Sequence, residues 1–328
     1  NVPIGIAVVA AAFRWVPESH ADLGHRRFDV LGAISVTAGL MLLVYSIVGT
    51  VEHGFTSART ITLFGISIAL LAAFLVIESR TAAPLVRLGL LRLRSLAVAN
   101  LAMLSVAAGM FAFFYFATLY IQIVLGFAPI KAGTAFLPFA FSIGIGAGTA
   151  QVAIKHLGVR LTGAIGLIGA AIGLVAMGAT MEVGGSYWWL FGGMIVMAIG
   201  LGWTFVPFTL IATTTVTDDE AGLASGVFNT SQQIGGAIGL AILSTVFVNQ
   251  RDDALAENGL EPTPLQLFGT LDPQQLVMQL TANVEGYQIA LYAGAGLMLV
   301  GLLLHVLFIR AKDVASIDVT EAAPAHVG

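Results

Sequence analysis

The chain is a succession of long apolar runs joined by short polar connections. A helix needs about 20 apolar residues to cross the hydrocarbon of a bilayer, whereas a barrel strand needs about 10 residues of alternating polarity. The runs are close to the first length, so the pattern predicts an all-α integral membrane protein with about nine transmembrane spans. We expect the first run to be a helix whose beginning has been cut off. The runs occupy residues 1–16, 30–50, 61–79, 96–125, 133–153, 161–181, 187–213, 221–249 and 287–309.

The composition excludes a water-soluble protein. Only 10% of the residues are charged and 58% are hydrophobic, and the mean hydropathy is +0.93, whereas soluble domains carry about 25% charged residues. The net charge of −4, without a basic arm, predicts no nucleic-acid partner. The chain has no cysteine, which excludes disulfides and thiolate metal sites. No two histidines have metal-ligand spacing within one predicted helix, so we expect no bound metal.

Lysine and arginine are distributed unevenly between the two sides of the predicted bundle. The connections on one side hold eleven and those on the other side hold three. Because cytoplasmic loops carry the excess of positive residues, this bias predicts a cytoplasmic C-terminus and places the start of the chain near the outer face. The eleven are Arg14, Arg26, Arg27, Arg80, Arg87, Arg92, Arg94, Lys155, Arg160, Arg310 and Lys312. The three are Arg59, Lys131 and Arg251.

Three segments outside the apolar runs have their own patterns. The sequence Tyr187–Trp189 places aromatic rings where a span begins, which is typical of an anchor at the outer interface. Residues 85–96 alternate leucine with arginine, which predicts a segment lying along the inner membrane surface. The polar residues 250–286 predict an outer loop that carries a short helix at 272–282.

The stretch Gly109–Pro138 predicts a hairpin of two long apolar helices joined by a short turn at residues 126–131. At helical spacing, an aromatic and polar face runs along its first helix. This face consists of Phe111, Tyr115, Thr118 and Gln122. It is interpreted either as ordinary packing or as the lining of a substrate path.

Polar side chains also share a face of the predicted span 221–249. They are Ser225, Asn229, Gln232 and Gln233, with Gly236 beside them. Such groups are costly when they face lipid, so this face should meet protein or water. The two interpretations are hydrogen bonding between helices and lining of a substrate path. The candidates for a substrate cavity are therefore Phe111, Tyr115, Gln122, Asn229 and Gln233.

Glycine and proline suggest where helices approach or bend. The chain has 38 glycines, many inside predicted spans, and small residues let membrane helices pack closely. Pro207 should kink its helix because proline removes a backbone hydrogen bond. Gly200, Gly202 and Pro207 are accordingly candidates for bending during a conformational cycle, with close packing as the alternative for the glycines.

The motifs that mark enzymes are absent from the sequence. It contains no paired intramembrane carboxylates, no Ser-His-Asp set, no HExxH and no phosphate-binding loop. This argues against a membrane-embedded hydrolase and against an ATP-driven pump.

Four stretches are distinctive in combination. They are NVPIG at the start, VPES at 16–19, YIQIVLGFAPIKAGTAFLP at 120–138 and ASGVFNTSQQIGGAIGLAIL at 224–243. Together they resemble the fourteen-span drug:proton antiporters of the major facilitator superfamily, the EmrB/QacA type. The resemblance covers nearly the whole chain and corresponds to the part from the sixth span to the C-terminus.

The resemblance implies a division of the chain. Residues 1–29 would be the truncated sixth span with a cytoplasmic linker, 30–79 the extra central pair of spans, and 80–95 an amphipathic cytoplasmic linker. Residues 96–313 would form the C-terminal six-helix half, and 314–328 a cytoplasmic tail. Gly158 and Arg160 lie where the family has a cytoplasmic loop between the second and third helices of each half, although Lys155 and His156 stand in place of its acidic residue.

The resemblance further implies a function. The expected protein is a transporter of the bacterial inner membrane that exports drug-like or amphipathic small molecules by alternating access. Proton antiport would supply the energy, with no cofactor, and the proton-carrying carboxylate would lie upstream of this chain. The expected partners are the small-molecule substrate and the lipid bilayer, and the expected state is a monomer. The alternatives are an exporter of one metabolite or lipid precursor, a membrane enzyme and a non-transporting scaffold.

Overall fold

The chain folds into long helices, as its apolar runs predict. The computed structural model describes residues 2–15, 29–54, 56–81, 93–214 and 218–309, and these contain no β-strand. The α-helices are α1 (Val2–Trp15), α2 (Val30–His53), α3 (Ala58–Arg80), α4 (Arg94–Leu119), α5 (Pro129–Ala135), α6 (Leu137–Thr180), α7 (Tyr187–Thr214), α8 (Asp218–Ala256) and α9 (Pro273–Phe308). A π-helical turn, Tyr120–Val124, continues α4, and a 3-10 helix, Leu265–Thr270, precedes α9.

The predicted all-α membrane fold is confirmed. In the described part of the chain, seven helical segments are long and apolar enough to cross a membrane. One of them runs through α5 and α6 over 52 residues and is interrupted at Gly158. Counting its two halves separately, and adding the shorter apolar helix α1, gives the nine segments that the sequence predicts.

Side chains and prolines define where several helices begin. The Asp29 carboxylate accepts a hydrogen bond from the Gly32 amide at 2.8 Å, and Asp272 accepts from the amides of Gln274 and Gln275 at 3.0 and 2.9 Å. These caps satisfy amides that have no partner within the first helical turn. Proline in the first turn of α5, α6 and α9 removes one such amide altogether.

The structure corrects the predicted loop around Gly158. The sequence suggests a connection between spans that end at 153 and begin at 161, but α6 is helical on both sides and only Gly158 has non-helical dihedrals (φ 77°, ψ 164°). A positive φ is strained for any residue with a Cβ. A methyl group at this position would meet no atom within 4 Å, so the backbone conformation is what favours glycine here.

The predicted outer loop is also shorter than the sequence suggests. Helix α8 continues to Ala256, and α9 begins at Pro273 and runs without interruption through the region assigned to a separate helix at 272–282. No further proline follows Pro273 within α9, so nothing stops the helix before its apolar part. The amphipathic linker prediction falls mostly on residues 82–92, and the tail prediction on 314–328. Both lie outside the described residues.

The helices form two closely packed sets. Both halves of α6 pack on α7, while α4 packs on α8 and α9. Contacts of α9 with α6 and of α7 with α8 join the two sets, and the α2–α3 hairpin lies against α8. Within the hairpin, Ser67 donates a hydrogen bond to the Gly39 carbonyl at 2.8 Å. Each set therefore presents helix faces that the other does not cover.

Candidate substrate path

Helices α4 and α8 run parallel and in close contact, which fixes the heights of the candidate residues. Ser231 donates a hydrogen bond to Asn100 at 2.9 Å, across a sequence separation of 131 residues. One turn further on, a methyl group at Gly235 would lie 2.5 Å from the Cα of Leu104. A third contact joins Gly239 to Ala108. All three contacts join residues that are 131 positions apart in the sequence. Small residues at this seam permit the close approach of the two backbones.

The candidate cavity residues lie on exposed faces of these helices. Tyr115 is 43% exposed, and Gln122, Asn229 and Gln233 are exposed as well. Phe111 is half-buried, because its ring packs on Gly236, where a methyl group would lie 2.6 Å from its Cδ2 atom. Aromatic and amide groups are therefore accessible on helices that are otherwise apolar.

The structure does not bring the five candidates together at one point. Because residues of α8 lie beside the residues of α4 that precede them by 131 positions, Asn229 lies at the level of Val98. Val98 is 24 residues before Gln122. At 1.5 Å per residue this separates the two side chains by about 36 Å along the helix axes, which is comparable to the hydrocarbon thickness of about 30 Å. The candidates thus form a stripe from one end of the bundle to the other.

The structure divides the polar side chains of α8 between a contact with α4 and an exposed face. Ser231 bonds across to α4, so it serves helix packing. Asn229 instead donates to the Ser225 carbonyl of its own helix at 3.1 Å, and it shares the exposed face with Gln233. The path-lining interpretation therefore narrows to Asn229 and Gln233, and the face also includes the open glycines 222 and 226.

A π-helical turn positions Gln122 at the end of α4. The Leu125 amide bonds to the Tyr120 carbonyl at 3.0 Å, which is the spacing of a π-helix, and such turns are frequent at functional sites. Tyr120 is buried and donates its hydroxyl to the Glu182 carbonyl at 3.0 Å. This bond ties the end of α4 to the connection between α6 and α7.

The bending candidates lie in the tightest helix packing. A methyl group at Gly200 would overlap the backbone of the second half of α6 at Ala170, and one at Gly202 would lie 2.6 Å from the carbonyl carbon of Gly146 in the first half. Pro207 lies inside α7, as predicted. Close packing on α6 explains why residues 200 and 202 are glycines. Bending at Gly200, Gly202 and Pro207 stays a prediction.

Arg160 takes part in a reciprocal contact that the sequence does not reveal. Its guanidinium donates to the Val306 carbonyl at 2.6 Å, and His305 donates its Nε2–H to the Arg160 carbonyl at 2.8 Å. The buried imidazole also stacks on Phe208, with ring centroids 4.9 Å apart. The contact ties α6, just after its break, to the end of α9. His305 follows an apolar run without any local signal, so sequence reasoning misses it.

A cavity at the opposite end of α7 was likewise not predicted. It lies between the π-helical turn, α5 and the start of α7. Phe127, Lys131 and Tyr187 contribute to it, although the sequence suggests only a turn at 126–131 and an interfacial anchor at 187–189. The signal available in the sequence was the concentration of aromatic residues near a single lysine.

Comparison with known proteins identifies the family. The profile of the Major Facilitator Superfamily matches residues 3–240. The chain belongs to the Major Facilitator Superfamily. The kinked α6, the parallel pairing of α4 with α8 and the exposed stripe are thus features of one portion of a superfamily member.

Curated relatives in the superfamily are named for antibiotic export or resistance. The chain is 34% identical to the cephamycin export protein of Amycolatopsis lactamdurans, over 75% of this chain and 51% of that protein. It is 27% identical to the puromycin resistance protein of Streptomyces alboniger, over 99% and 63% of the two chains. Identity to the tetracenomycin C resistance and export protein of Streptomyces glaucescens is 25%, over 80% and 48%. The chain thus spans about half to two-thirds of the length of these relatives, and none of the three is named for an enzymatic activity.

Proposed function

We propose that the chain is part of a secondary active transporter that exports drug-like or amphipathic small molecules across the bacterial inner membrane. The observation that carries the proposal is a stripe whose members, apart from the half-buried Phe111, are exposed. It consists of Phe111 and Tyr115 on α4, Gln122 in the π-helical turn, and Asn229 and Gln233 on α8. Aromatic faces and uncharged amides on a membrane-spanning path suit amphipathic solutes of varied structure. The names of the three relatives support the same class of activity.

The proposed mechanism is alternating access. In carriers built from helical repeats, two bundles rock around a site near the middle of the membrane. The six spans of α4–α9 form one such bundle, and the stripe is its wall on the path. A stripe that reaches both ends lets the substrate keep contact with the same wall as the path opens first to one side and then to the other.

Proton antiport is the energy source in this proposal. Helix α7 carries no charged residue, and the only one on α4 is Arg94 in its first turn. Neither of these two helices therefore supplies the carboxylate that exchanges the proton. The orientation in the proposal follows the positive residues, with the C-terminus in the cytoplasm.

The experiment is an accumulation assay with the complete protein in a drug-sensitive bacterial strain. Cells accumulate a fluorescent cationic dye with and without a protonophore. Reduced accumulation that the protonophore abolishes is the expected result. Unchanged accumulation of several dyes, with the protein present in the membrane, contradicts broad export.

Alanine variants of the stripe give the residue-level test. Tyr115→Ala and Asn229→Ala should each reduce dye export several-fold at equal expression, because each removes an exposed group from the path. Gln266→Ala is the matched control, since Gln266 is exposed in the connection before α9. Export by both stripe variants that equals that of the control removes these residues from the site.

Export of one metabolite is the second candidate function. The relatives are each named for a single antibiotic, which favours narrow specificity on the same fold. In that case the dyes accumulate unchanged, while one compound with a matching shape is exported.

A further inference from the structure

The cavity beside the start of α7 has the size of a ligand site. Its volume is about 690 Å³, within the range of roughly 300–1,000 Å³ that is usual for small-molecule pockets. We call it the aromatic pocket and define it by Phe127, Lys131, Thr134, Tyr187, Trp188 and Phe191. Its residues come from the connection after α4, from α5 and from the start of α7.

Aromatic rings form one continuous wall of the aromatic pocket. Tyr187 is central, with ring centroids 6.1 Å from Phe127, 5.6 Å from Trp188 and 6.0 Å from Phe191. The Tyr187 hydroxyl donates to the Ala135 carbonyl at 2.7 Å, which fixes its ring. Trp188 is 70% exposed, so part of the wall is free to stack on a flat solute at ring spacings of about 4.5–7 Å.

A single positive charge sits against this wall. The Lys131 ammonium lies 3.8 Å from the centroid of the Phe127 ring, a distance at which cation–π attraction holds it in place. The described residues that line the pocket include no aspartate or glutamate. The nearest acidic residue in the sequence, Glu182, is exposed and precedes the lining glycines, and its carbonyl is occupied by Tyr120.

We propose that the aromatic pocket binds planar aromatic carboxylates as a subsite near the predicted outer end of the transport path. The carboxylate meets the Lys131 ammonium while the ring stacks on Trp188 and Phe191. The inference rests on the proposed function, because it adds aromatic carboxylates to the drug-like and amphipathic solutes that the exporter is proposed to take. A flat anion satisfies the cation and the rings together, whereas a cation is repelled by Lys131 and an acyl chain makes no use of flat faces.

The test measures equilibrium binding to the purified complete protein in phosphatidylcholine nanodiscs. The probes are naphthoate, naphthylmethanol and naphthylmethylammonium, which share one ring and differ in charge. The wild type should bind naphthoate about tenfold more tightly than the other two. Lys131→Ala should remove this preference, and Lys131→Arg should retain it because it keeps the charge.

Two further variants separate charge from ring stacking. Lys155→Ala is the matched control, since Lys155 is an exposed lysine on α6 near the opposite end of the bundle, and it should leave the preference unchanged. Phe191→Leu should weaken all three probes to a similar extent. Equal affinity of the wild type for the three probes, or the same loss in Lys131→Ala and Lys155→Ala, overturns the proposal.

Two comparisons distinguish the competing explanations. If phosphatidylglycerol nanodiscs abolish naphthoate binding through Lys131, a lipid headgroup occupies the pocket and the substrate assignment is wrong. If the protein exports dyes but shows no Lys131-dependent preference for naphthoate, the proposed ligand of the aromatic pocket is wrong and the proposed function stands. Lys131-dependent binding in a protein that exports neither dyes nor naphthoate supports the pocket as a binding site and overturns its role in export.

Discussion

Arg160 and His305 show how single residues can stabilise a helix junction in a nearly uncharged bundle. Arg160 on α6 donates to the carbonyl of Val306 on α9 at 2.6 Å. His305 on α9 donates to the carbonyl of Arg160 at 2.8 Å. The last carbonyls of a helix lack intrahelical partners, and the Arg160 guanidinium satisfies such a carbonyl at Val306, near the end of α9. Together the two hydrogen bonds tie α6 to α9 at the same point.

His305→Phe should lower the stability of the protein while keeping the ring that stacks on Phe208. The variant loses the hydrogen bond from the imidazole to the Arg160 carbonyl, at a cost of about 0.5–1.5 kcal/mol. Thermal unfolding of the complete protein in detergent measures the loss. His156→Phe is the control, because His156 is exposed on α6 and its replacement should change the melting temperature little. Equal melting temperatures for the two variants would rule out a stabilising contact.

Helix α6 shows how one element can serve as two spans. The break at Gly158 needs only a single residue with positive φ, after which the helix resumes and packs again on α7. Both halves approach α7 through pairs of glycines, one on each helix. Gly146 of the first half lies against Gly202 of α7, and Gly166 of the second half lies against Gly200 of α7. The element is therefore defined by its contacts with α7 as much as by its own sequence.

Gly158→Ala should destabilise the junction of the two halves by about 1–3 kcal/mol, the cost of a strained backbone conformation. Gly148→Ala provides the comparison within the same helix. Its added methyl group meets no described atom within 4 Å, and alanine is the better helix former by up to about 1 kcal/mol. Chemical unfolding in detergent should rank Gly148→Ala at or above the wild type and Gly158→Ala below it. The reverse order would show that Gly158 is not constrained by its backbone.

At the scale of the whole molecule, the helices share one buried core and expose a large apolar surface. The buried core joins α4, α6, α7, α8 and α9, and large hydrophobic side chains elsewhere on these helices are exposed. In water such a surface would associate, whereas in a bilayer it is solvated by lipid. The uneven distribution of lysine and arginine in the sequence predicts the orientation of the bundle, with eleven in connections on the predicted cytoplasmic side and three on the other.

Cysteine labelling of intact cells tests this orientation. The chain contains no cysteine, so single cysteines can be placed at chosen ends in a cysteine-free version of the complete protein. Thr270→Cys should react with a membrane-impermeant maleimide from outside, because Thr270 is exposed in the connection before α9. His156→Cys should react only after permeabilisation. Labelling of His156→Cys in intact cells would contradict the predicted orientation and place this end of the bundle outside the cell.

The sequence alone determined that the chain spans a membrane many times as helices. In hydrocarbon every backbone group must be bonded within its own segment, so an apolar run of sufficient length has few alternatives to a helix. A second local rule selected Tyr115, Asn229 and Gln233, because a polar side chain in an apolar run needs protein or water beside it. The resemblance to the superfamily rests on the particular residues of four stretches and not on either rule.

Only the tertiary structure decided how these residues are arranged. The offset between α4 and α8 is set by glycine contacts between segments more than a hundred residues apart, and it spreads the candidates along a stripe. Phe127 and Tyr187 meet in the aromatic pocket although they are distant in the chain, and His305 acquires its partner only through the packing of α9 on α6. Such contacts depend on the volumes of facing side chains, which the periodicity of a single helix does not encode.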